Sequence, residues 1–436
     1  MRDMGTSDDP RVQAQLDRLS GLSIQRDTLG LDAIRELMRR LGDPHKRLPP
    51  VFHVAGTNGK GSTCAFLRAI LEAAGYRVHV TTSPHLVRYN ERFRVAGNLI
   101  KDARLAELLE EVFDAADGLG CSFFEITIAA AFVEFARVPA DACVVEVGLG
   151  GRLDATNVLE PDVLAACGIA ALGIDHEKFL LAPEDGVPKE PMARIAFEKA
   201  GIAKRGVPLV TMGEGYPTTA KDAVQQVAKR IGAEHLEWGL YGAWGIKPVG
   251  SPLRGAYADK LGHFHTDALN LPGRHQVLNA GLAIAMLRHQ NRLSVSEESM
   301  KLGSANAHWP GRMQRMRDGP LIGVREVWLD GGHNPSAGEA IAEALEEPFH
   351  LILGMLDNKN PRALLDPLGD RVRSLRIVPV PGHDAHPASA FGPNAVAADN
   401  LEDAMLSLPS NDFPVLIAGS LYLAGEALRL NDEIPD

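Results

Sequence analysis

Cysteine is scarce, with four in 436 residues and no C-x-x-C pair, so neither a disulfide framework nor a paired-thiolate metal site is expected. Cys64, Cys121, Cys143 and Cys167 lie far apart in apolar surroundings, where cysteine behaves as a small hydrophobe, and a reducing cytoplasm fits them. Long apolar runs are missing too. Nothing approaches the roughly 18 residues that a membrane helix requires, and the opening MRDMGTSDDP is acidic and polar, unlike a signal peptide. Basic charge is in deficit: 45 Lys and Arg against 56 Asp and Glu give a net charge of −11, which argues against non-specific nucleic-acid binding. Any anionic ligand must be met by local charge. Internal repeats and low-complexity tracts are absent, and 45% hydrophobic with 23% charged residues is ordinary for a globular chain. The expectation is a soluble, cytoplasmic protein of two domains.

Short apolar β-rich runs alternate with helical patterns, as in parallel strands joined by crossover helices. Strands are expected at Val51–Val54, Arg77–Thr81, Ala142–Val147, Val163–Cys167 and Pro208–Val210, and helices at Leu31–Leu41, Thr63–Ala74 and Val277–Leu287. The pattern restarts after the polar stretch Arg288–Glu298. A second set of strands follows at Glu326–Leu329, His350–Leu353, Leu375–Val380 and Pro414–Ala418, then a helix at Leu421–Leu430. The fold class is therefore α/β: a large, mostly parallel domain over residues 1–293, whose P-loop-type ATPase character rests on the motif described next, and a smaller Rossmann-like domain over 294–436. The Pro- and acid-rich stretch Ala182–Pro191 reads as an exposed loop.

The strongest chemical signal is Val51–Thr63, VFHVAGTNGKGST, an apolar strand, a glycine-dense turn, and then Lys60 with Ser62 and Thr63 opening a helix. Glycines admit phosphate close to the backbone, successive N–H groups and the helix N-terminus supply positive potential, and Lys60 adds a point charge. The spacing is a variant of the standard phosphate loop: Val54 stands where the first glycine would be, and Gly61 separates Lys60 from the hydroxyls. The second signal is Glu146, near the carboxyl end of the buried run ACVVEVGLGG. An ionised carboxylate there costs several kcal/mol unless it is paired or holds a metal. Either Mg²⁺ shared with a nucleotide phosphate or an ion pair with Arg152 would relieve that cost. Arg152, Asp154 and Asn157 follow in a polar turn that turn chemistry alone would explain equally well.

Read together, VAGTNGKGST, TSPHLVRYNERFRVAG, EVGLGGRLDATN, GIDH, EKAGI, WPGRMQ, DGGHNP and GSLYL occur in the order seen in one family. From about Leu31 to Leu430 the sequence resembles the dihydrofolate synthase/folylpolyglutamate synthase branch of the Mur-ligase superfamily. The resemblance implies an enzyme that joins L-glutamate to dihydropteroate, to the glutamyl tail of reduced folates, or to both. ATP phosphorylates the substrate carboxylate, and the glutamate amine then attacks the acyl phosphate. The partners implied are small molecules only, with no nucleic acid and no membrane, and a monomer is expected. A Mur-type ligase acting on another acid, or a P-loop phosphotransferase that needs no amine, would keep Lys60 and Glu146.

Carried over by position, the resemblance places Thr57, Asn58, Gly59, Lys60, Gly61 and Ser62 on the nucleotide phosphates, with Arg312 joining them from WPGRMQ. Gln276 and Asn279 would lie near the adenine and Asp330 at the ribose. Two Mg²⁺ ions are implied, the first held by Ser83 and Glu146, the second by Glu146, His176 and Lys199. Lys199 in EKAGI matches a lysine that the family carries as a carbamate. The stretch APEDGVPKEP is an insertion relative to the family between His176 and Lys199. His333 and Ser420 would lie by the incoming glutamate, although Ser420 would serve equally as a helix N-cap. For the pterin, Phe124 is favoured over Phe123, and Arg88 and Arg92 are candidates for anionic substrate groups. His383 and His386 lack a third ligand and read as loop histidines.

Overall fold

The computed structural model describes residues 7–22, 30–240 and 242–435. The first residues, read above as unlike a signal peptide, lie largely outside them. The phosphate-loop strand is β1 (Val51–Ala55), followed by β2 (Val78–Thr81), β3 (Arg94–Val95), β4 (Asn98–Leu99), β5 (Ala142–Glu146), β6 (Leu164–Ile169), β7 (Pro208–Thr211) and β8 (Glu234–Glu237). They form one sheet in the order β4-β3-β2-β5-β1-β6-β7-β8, parallel from β2 to β8 and antiparallel only at the β3/β4 edge. Every residue of β1, β2, β5 and β6 is buried, as expected of strands covered by helices on both faces. Three antiparallel strands that the sequence patterns did not reveal follow: β9 (Trp244–Val249), β10 (Arg254–Asp259) and β11 (Gly262–His265).

A second sheet contains β12 (Gln314–Arg315), β13 (Val327–Asp330), β14 (Phe349–Leu353), β15 (Val372–Ile377), β16 (Ala395–Ala397) and β17 (Val415–Ala418), in the order β12-β13-β17-β14-β15-β16. All but β12 run parallel. Separate apolar cores flank this sheet, one containing Leu329, Ile417 and Leu428, the other Leu351, Leu416 and Ile341.

The strands and helices named from sequence lie within a few residues of these elements, and the helix Leu421–Leu430 has the bounds expected. One placement differs. The helix Glu297–Asn306, given to the second unit, belongs to the first core, where Met300 and Ala307 are buried. A Cβ on its Gly303 would lie 2.3 Å from the Cα of Ile70 in the phosphate-loop helix Lys60–Ala73, so the two helices touch backbone to backbone. Periodicity marks a helix without saying which core it covers. We place the change of unit at the loop around residues 308–312. The stretch 182–190 is a loop, as expected, but an anchored one: the Glu184 carboxylate meets Arg152 at 2.6 Å and Arg194 at 2.8 Å.

This packing predicts that Gly303→Ala destabilises the protein by about 1–3 kcal/mol, because backbone cannot yield as a side-chain tip can. Thermal unfolding measures it, and unchanged stability would contradict the contact.

Candidate active site

In open parallel sheets, the loops after the strands' carboxyl ends make the ligand crevice. Here two sheets contribute such ends to one cavity of about 470 Å³. From the first sheet come Asn58 and Lys60 after β1, Ser83 after β2, Glu146 at the end of β5, and Asp175 and His176 after β6. From the second come His333 after β13, Lys359 after β14, His383 after β15 and Ser420 after β17.

The phosphate loop is built from its glycines outward. Gly59 has φ +82°, and a Cβ there would meet the Asn279 Oδ1 at 2.4 Å, so neither the backbone nor the space admits a side chain. The backbone amides of Thr57 and Asn58 are tied to the Ala171 carbonyl at 2.8 and 3.2 Å, and the Thr57 hydroxyl donates to Gly173 O. Their role in the loop is thus bracing, and the first-turn amides from Gly59 to Ser62 remain for an anion. Lys60 Nζ has only a long contact of 3.5 Å to Thr57 O. Behind the loop, Gln276 donates to the Ser62 hydroxyl at 3.3 Å and accepts from Asn279 at 3.0 Å.

Glu146 is 4% exposed and has no ion pair within 4 Å among the described residues. Arg152, the alternative partner, instead pairs with Glu198 and Glu184. Glu146 Oε2 accepts only the Ser83 N–H, at 3.0 Å. Burial raises its pKa, against the pull of Lys60, the Ser83 amide, Arg312 and Arg92. Arg312 lines the cavity with no hydrogen bond to the described residues. No cluster of three or more His, Cys, Asp or Glu side chains suited to a metal occurs among the described residues. That fits Mg²⁺, which takes one or two carboxylates and completes its shell with phosphates and water.

Lys199 is not on the cavity wall. It is 4% exposed beneath the loop, donating to Gly56 O at 2.9 Å, and burial, together with the Lys60 charge, pushes its ammonium down to about 7.

On the opposite wall the Asp330 carboxylate accepts the N–H groups of Met313 (2.8 Å) and Gly332 (2.7 Å), tying WPGRMQ to DGGHNP. Asn334 and Asn58 exchange reciprocal amide hydrogen bonds of 3.0 and 3.2 Å across the cleft. A second crossing was not anticipated from sequence: Lys359 meets Asp175 at 2.6 Å, with His333 Nε2 3.6 Å from the same carboxylate. His333, His176 and Lys359 together hold Asp175 well below the usual carboxylate range despite its burial. Ser420 caps the helix Leu421–Leu430 by accepting Tyr422 N–H at 3.1 Å, yet it also lines the cavity.

These features were compared with known proteins. No family model matches the chain. The dihydrofolate synthase/folylpolyglutamate synthase of Bacillus subtilis is 34% identical, covering 91% of this chain and 94% of its own. Escherichia coli FolC in complex with DHPP and ADP aligns with TM-score 0.82 at 31% identity, over 96% of this chain and 97% of that one. A bifunctional folylpolyglutamate synthase/dihydrofolate synthase with Mn, AMPPNP and L-glutamate bound aligns with TM-score 0.80 at 29% identity, over 96% and 97%. The chain belongs to the dihydrofolate synthase/folylpolyglutamate synthase family. It is an ATP-dependent ligase, and solved relatives hold ADP, or AMPPNP together with Mn.

Of the two candidate arginines, one lines the cavity and the other does not. Arg88 lies outside the cavity, bonded at 3.3 Å to Pro435 O, because it enters a short 3-10 turn on the solvent side. Arg92, four residues on, is buried on the cavity wall, donating to His85 Nδ1 at 2.9 Å with its guanidinium 5.2 Å from the Phe123 ring centre. Phe124 also lines the cavity, against Gly148. His383, read as a loop histidine, stacks on Tyr422 at 3.9 Å in the cavity wall, and His386 bonds Lys359 O at 2.7 Å. Asp175, Lys359 and His383 escaped sequence reasoning because each acts through a partner from a distant loop.

Asp175→Asn removes the charge that holds Lys359 and His333 across the cleft. Its kcat/KM should fall about tenfold or more when assayed well below the melting temperature, which should itself drop because Lys359 loses its countercharge. Wild-type kinetics in this variant would remove the crossing from the account.

Proposed function

We propose that this ligase joins L-glutamate to dihydropteroate, to reduced folates, or to both, through an acyl phosphate, in the cytoplasm and as a monomer. The observation that carries the reading is Glu146, a buried carboxylate without an ion pair, on a wall shared with Lys60, Arg312 and Arg92. Such a group calls for bound cations, and the surrounding free cations call for anions. The cytoplasmic placement is supported by four free, buried cysteines.

In this reading the amides of Gly59 to Ser62, Lys60 and Arg312 hold the phosphates, with Thr57 and Asn58 shaping the loop. Gln276 and Asn279 border the adenine, and Asp330 faces the ribose with the lone pairs that its two backbone bonds leave free. Ser83 and Glu146 would hold one Mg²⁺, and Glu146, His176 and a carbamylated Lys199 a second. The metal, when bound, screens phosphate charge and polarises the γ-phosphoryl group. The chain's own residues then align two anions that would otherwise repel, the substrate carboxylate and the γ-phosphate, which is mainly a matter of positioning and charge. The carboxylate oxygen attacks phosphorus as ADP departs, and the glutamate amine attacks the carbonyl carbon as phosphate departs.

The pterin fits the arm lined by Phe123, Phe124 and Leu149, where a flat heterocycle can stack. Arg92 replaces Arg88 as the cation on that side. His333 and Ser420 line the glutamate side. The His333 ring is oriented by Gly331 O, 3.1 Å from Nδ1, and by the Asp175 carboxylate, 3.6 Å from Nε2.

The decisive assay supplies dihydropteroate or tetrahydrofolate, each with ATP and glutamate, and measures ADP. ADP formation that needs both acid and amine supports a ligase, and ADP formed with acid alone at full rate would indicate a phosphotransferase. Lys60→Ala should lower kcat at least a hundredfold with unaltered thermal unfolding, and wild-type kcat would overturn its role. For Lys199, only the neutral amine reacts with CO₂, so ¹³C-bicarbonate labelling should rise as pH increases through about 7. Lys199→Ala should lose most activity and regain part of it with added formate or acetate. Absence of label at every pH would end the carbamate reading and leave the ligase standing.

A further inference from the structure

A second cavity, of about 420 Å³, opens off the first, and the two share Gly61, Ser83, Pro84, Glu146, Arg312 and Leu421 in their walls. That volume lies within the range of small-molecule sites, roughly 300–1,000 Å³. One wall is a face of the phosphate-loop helix, Gly61, Cys64, Ala65 and Arg68, spaced at one helical turn. The second sheet's edge contributes Arg315 and Arg317, and the Trp309 indole closes over Gly61.

Positive charge predominates here. Five arginines, Arg68, Arg94, Arg312, Arg315 and Arg317, line the cavity with three carboxylates. Two of those acids are already engaged: Glu91 accepts the amides of Leu86, Val87 and Arg88, and Glu433 accepts from Arg317 N, Gln314 and Asn431 and lies 3.5 Å from the Arg317 guanidinium. The third is Glu146, at the reaction centre. Arg68 Nε is buried without a hydrogen-bond partner, its nearest acid being Glu72 at 3.8 Å. Arg315 is 66% exposed and only 4.0 Å from Glu326, a loose pairing at the mouth. A chain of arginines therefore runs from the mouth to the wall that Glu146 and Arg312 share with the catalytic cavity.

Resting on the ligase reading above, we propose that this cavity holds the poly-γ-glutamyl tail of the acid substrate. Each glutamyl unit carries one free α-carboxylate, so a tail is a flexible row of like charges, and a row of arginines matches it along its length. Arg68 and Arg315 bind α-carboxylates while the terminal γ-carboxyl reaches the centre at Arg312 and Glu146, so the pterin of a tailed substrate lies beyond the mouth and only that of dihydropteroate occupies the Phe123–Phe124 arm. Dihydropteroate has no tail, so the same cavity separates the enzyme's two reactions: glutamate addition to dihydropteroate does not use it, and tail extension does.

The test compares wild type, Arg68→Gln and Arg315→Glu on three acids: dihydropteroate, tetrahydropteroyl monoglutamate and tetrahydropteroyl triglutamate. The last should be the most affected, its KM rising about tenfold in Arg315→Glu and climbing less steeply with added salt than in wild type, because one screened attraction is gone. Dihydropteroate kinetics should stay within twofold, which also reports that both variants fold. Equal effects on all three acids, or no effect on the triglutamate, would overturn the tail assignment. A wild-type enzyme that uses dihydropteroate but extends neither folate would overturn it as well, and would restrict the ligase reading to the first reaction. A wild type that turns over none of the three acids would bring down the ligase reading itself.

Discussion

The Glu146 carboxylate, buried at the end of β5 without a countercharge in contact, is the constraint around which the rest of the structure is arranged. Its strand is covered on both faces, and β1 pairs with it so that Val54 lies beside Glu146. Water can do little to stabilise a charge in that position, and an unpaired ion there costs several kcal/mol. The Ser83 amide and the more distant Lys60, Arg312 and Arg92 offset part of that cost. The remainder is a standing demand for cations. A divalent ion and its phosphate ligands satisfy it, so metal, nucleotide and protein become mutually stabilising.

The second consequence concerns how two units make one site. Both sheets direct the carboxyl ends of their strands into a common cleft, crossed by polar contacts, the Asn58–Asn334 amide pair and Asp175 with Lys359 and His333, while Leu86 and Val87 of the first unit pack on the apolar core of the second. Asn334 also caps the helix Pro335–Ala344, so the same side chain sets that helix's start and touches the phosphate loop. Polar contacts of this kind exchange readily with water or ligand groups, unlike a packed apolar interface. The apolar seam at Leu86 and Val87 holds the units in register beside these exchangeable contacts. The helix Glu297–Asn306 packs instead against the phosphate-loop helix, and Trp309 after it lies on Gly61, which couples the inter-unit segment to the loop itself.

Much of this was legible in the sequence because the decisive features are local. A strand, a glycine turn and a lysine-led helix announce themselves within thirteen residues, and a glutamate inside an apolar run is conspicuous wherever it falls. Parallel strands were visible as apolar runs, whereas the β9–β11 sheet was not, since its half-exposed strands carry polar and glycine residues that break the alternation. Pairings between distant loops were illegible for a different reason: no local pattern says that Asp175 will face Lys359, or that Arg92 and not Arg88 will turn inward. Which of the two faces the cavity is set by a 3-10 turn whose phase the sequence does not specify. Lys199 was found by its motif, but its burial under Gly56, which depresses its ammonium, only the fold supplies.

The central claim is that the clustered cations bring a carboxylate and a γ-phosphate together so that an acyl phosphate forms. Transfer of carboxyl oxygen tests it most directly: the acid substrate is labelled with ¹⁸O in the reacting carboxyl group, turned over with ATP and glutamate, and the released phosphate is analysed by mass spectrometry. The account predicts one ¹⁸O in each phosphate formed. Phosphate free of label, with amide product formed at the same time, would contradict it.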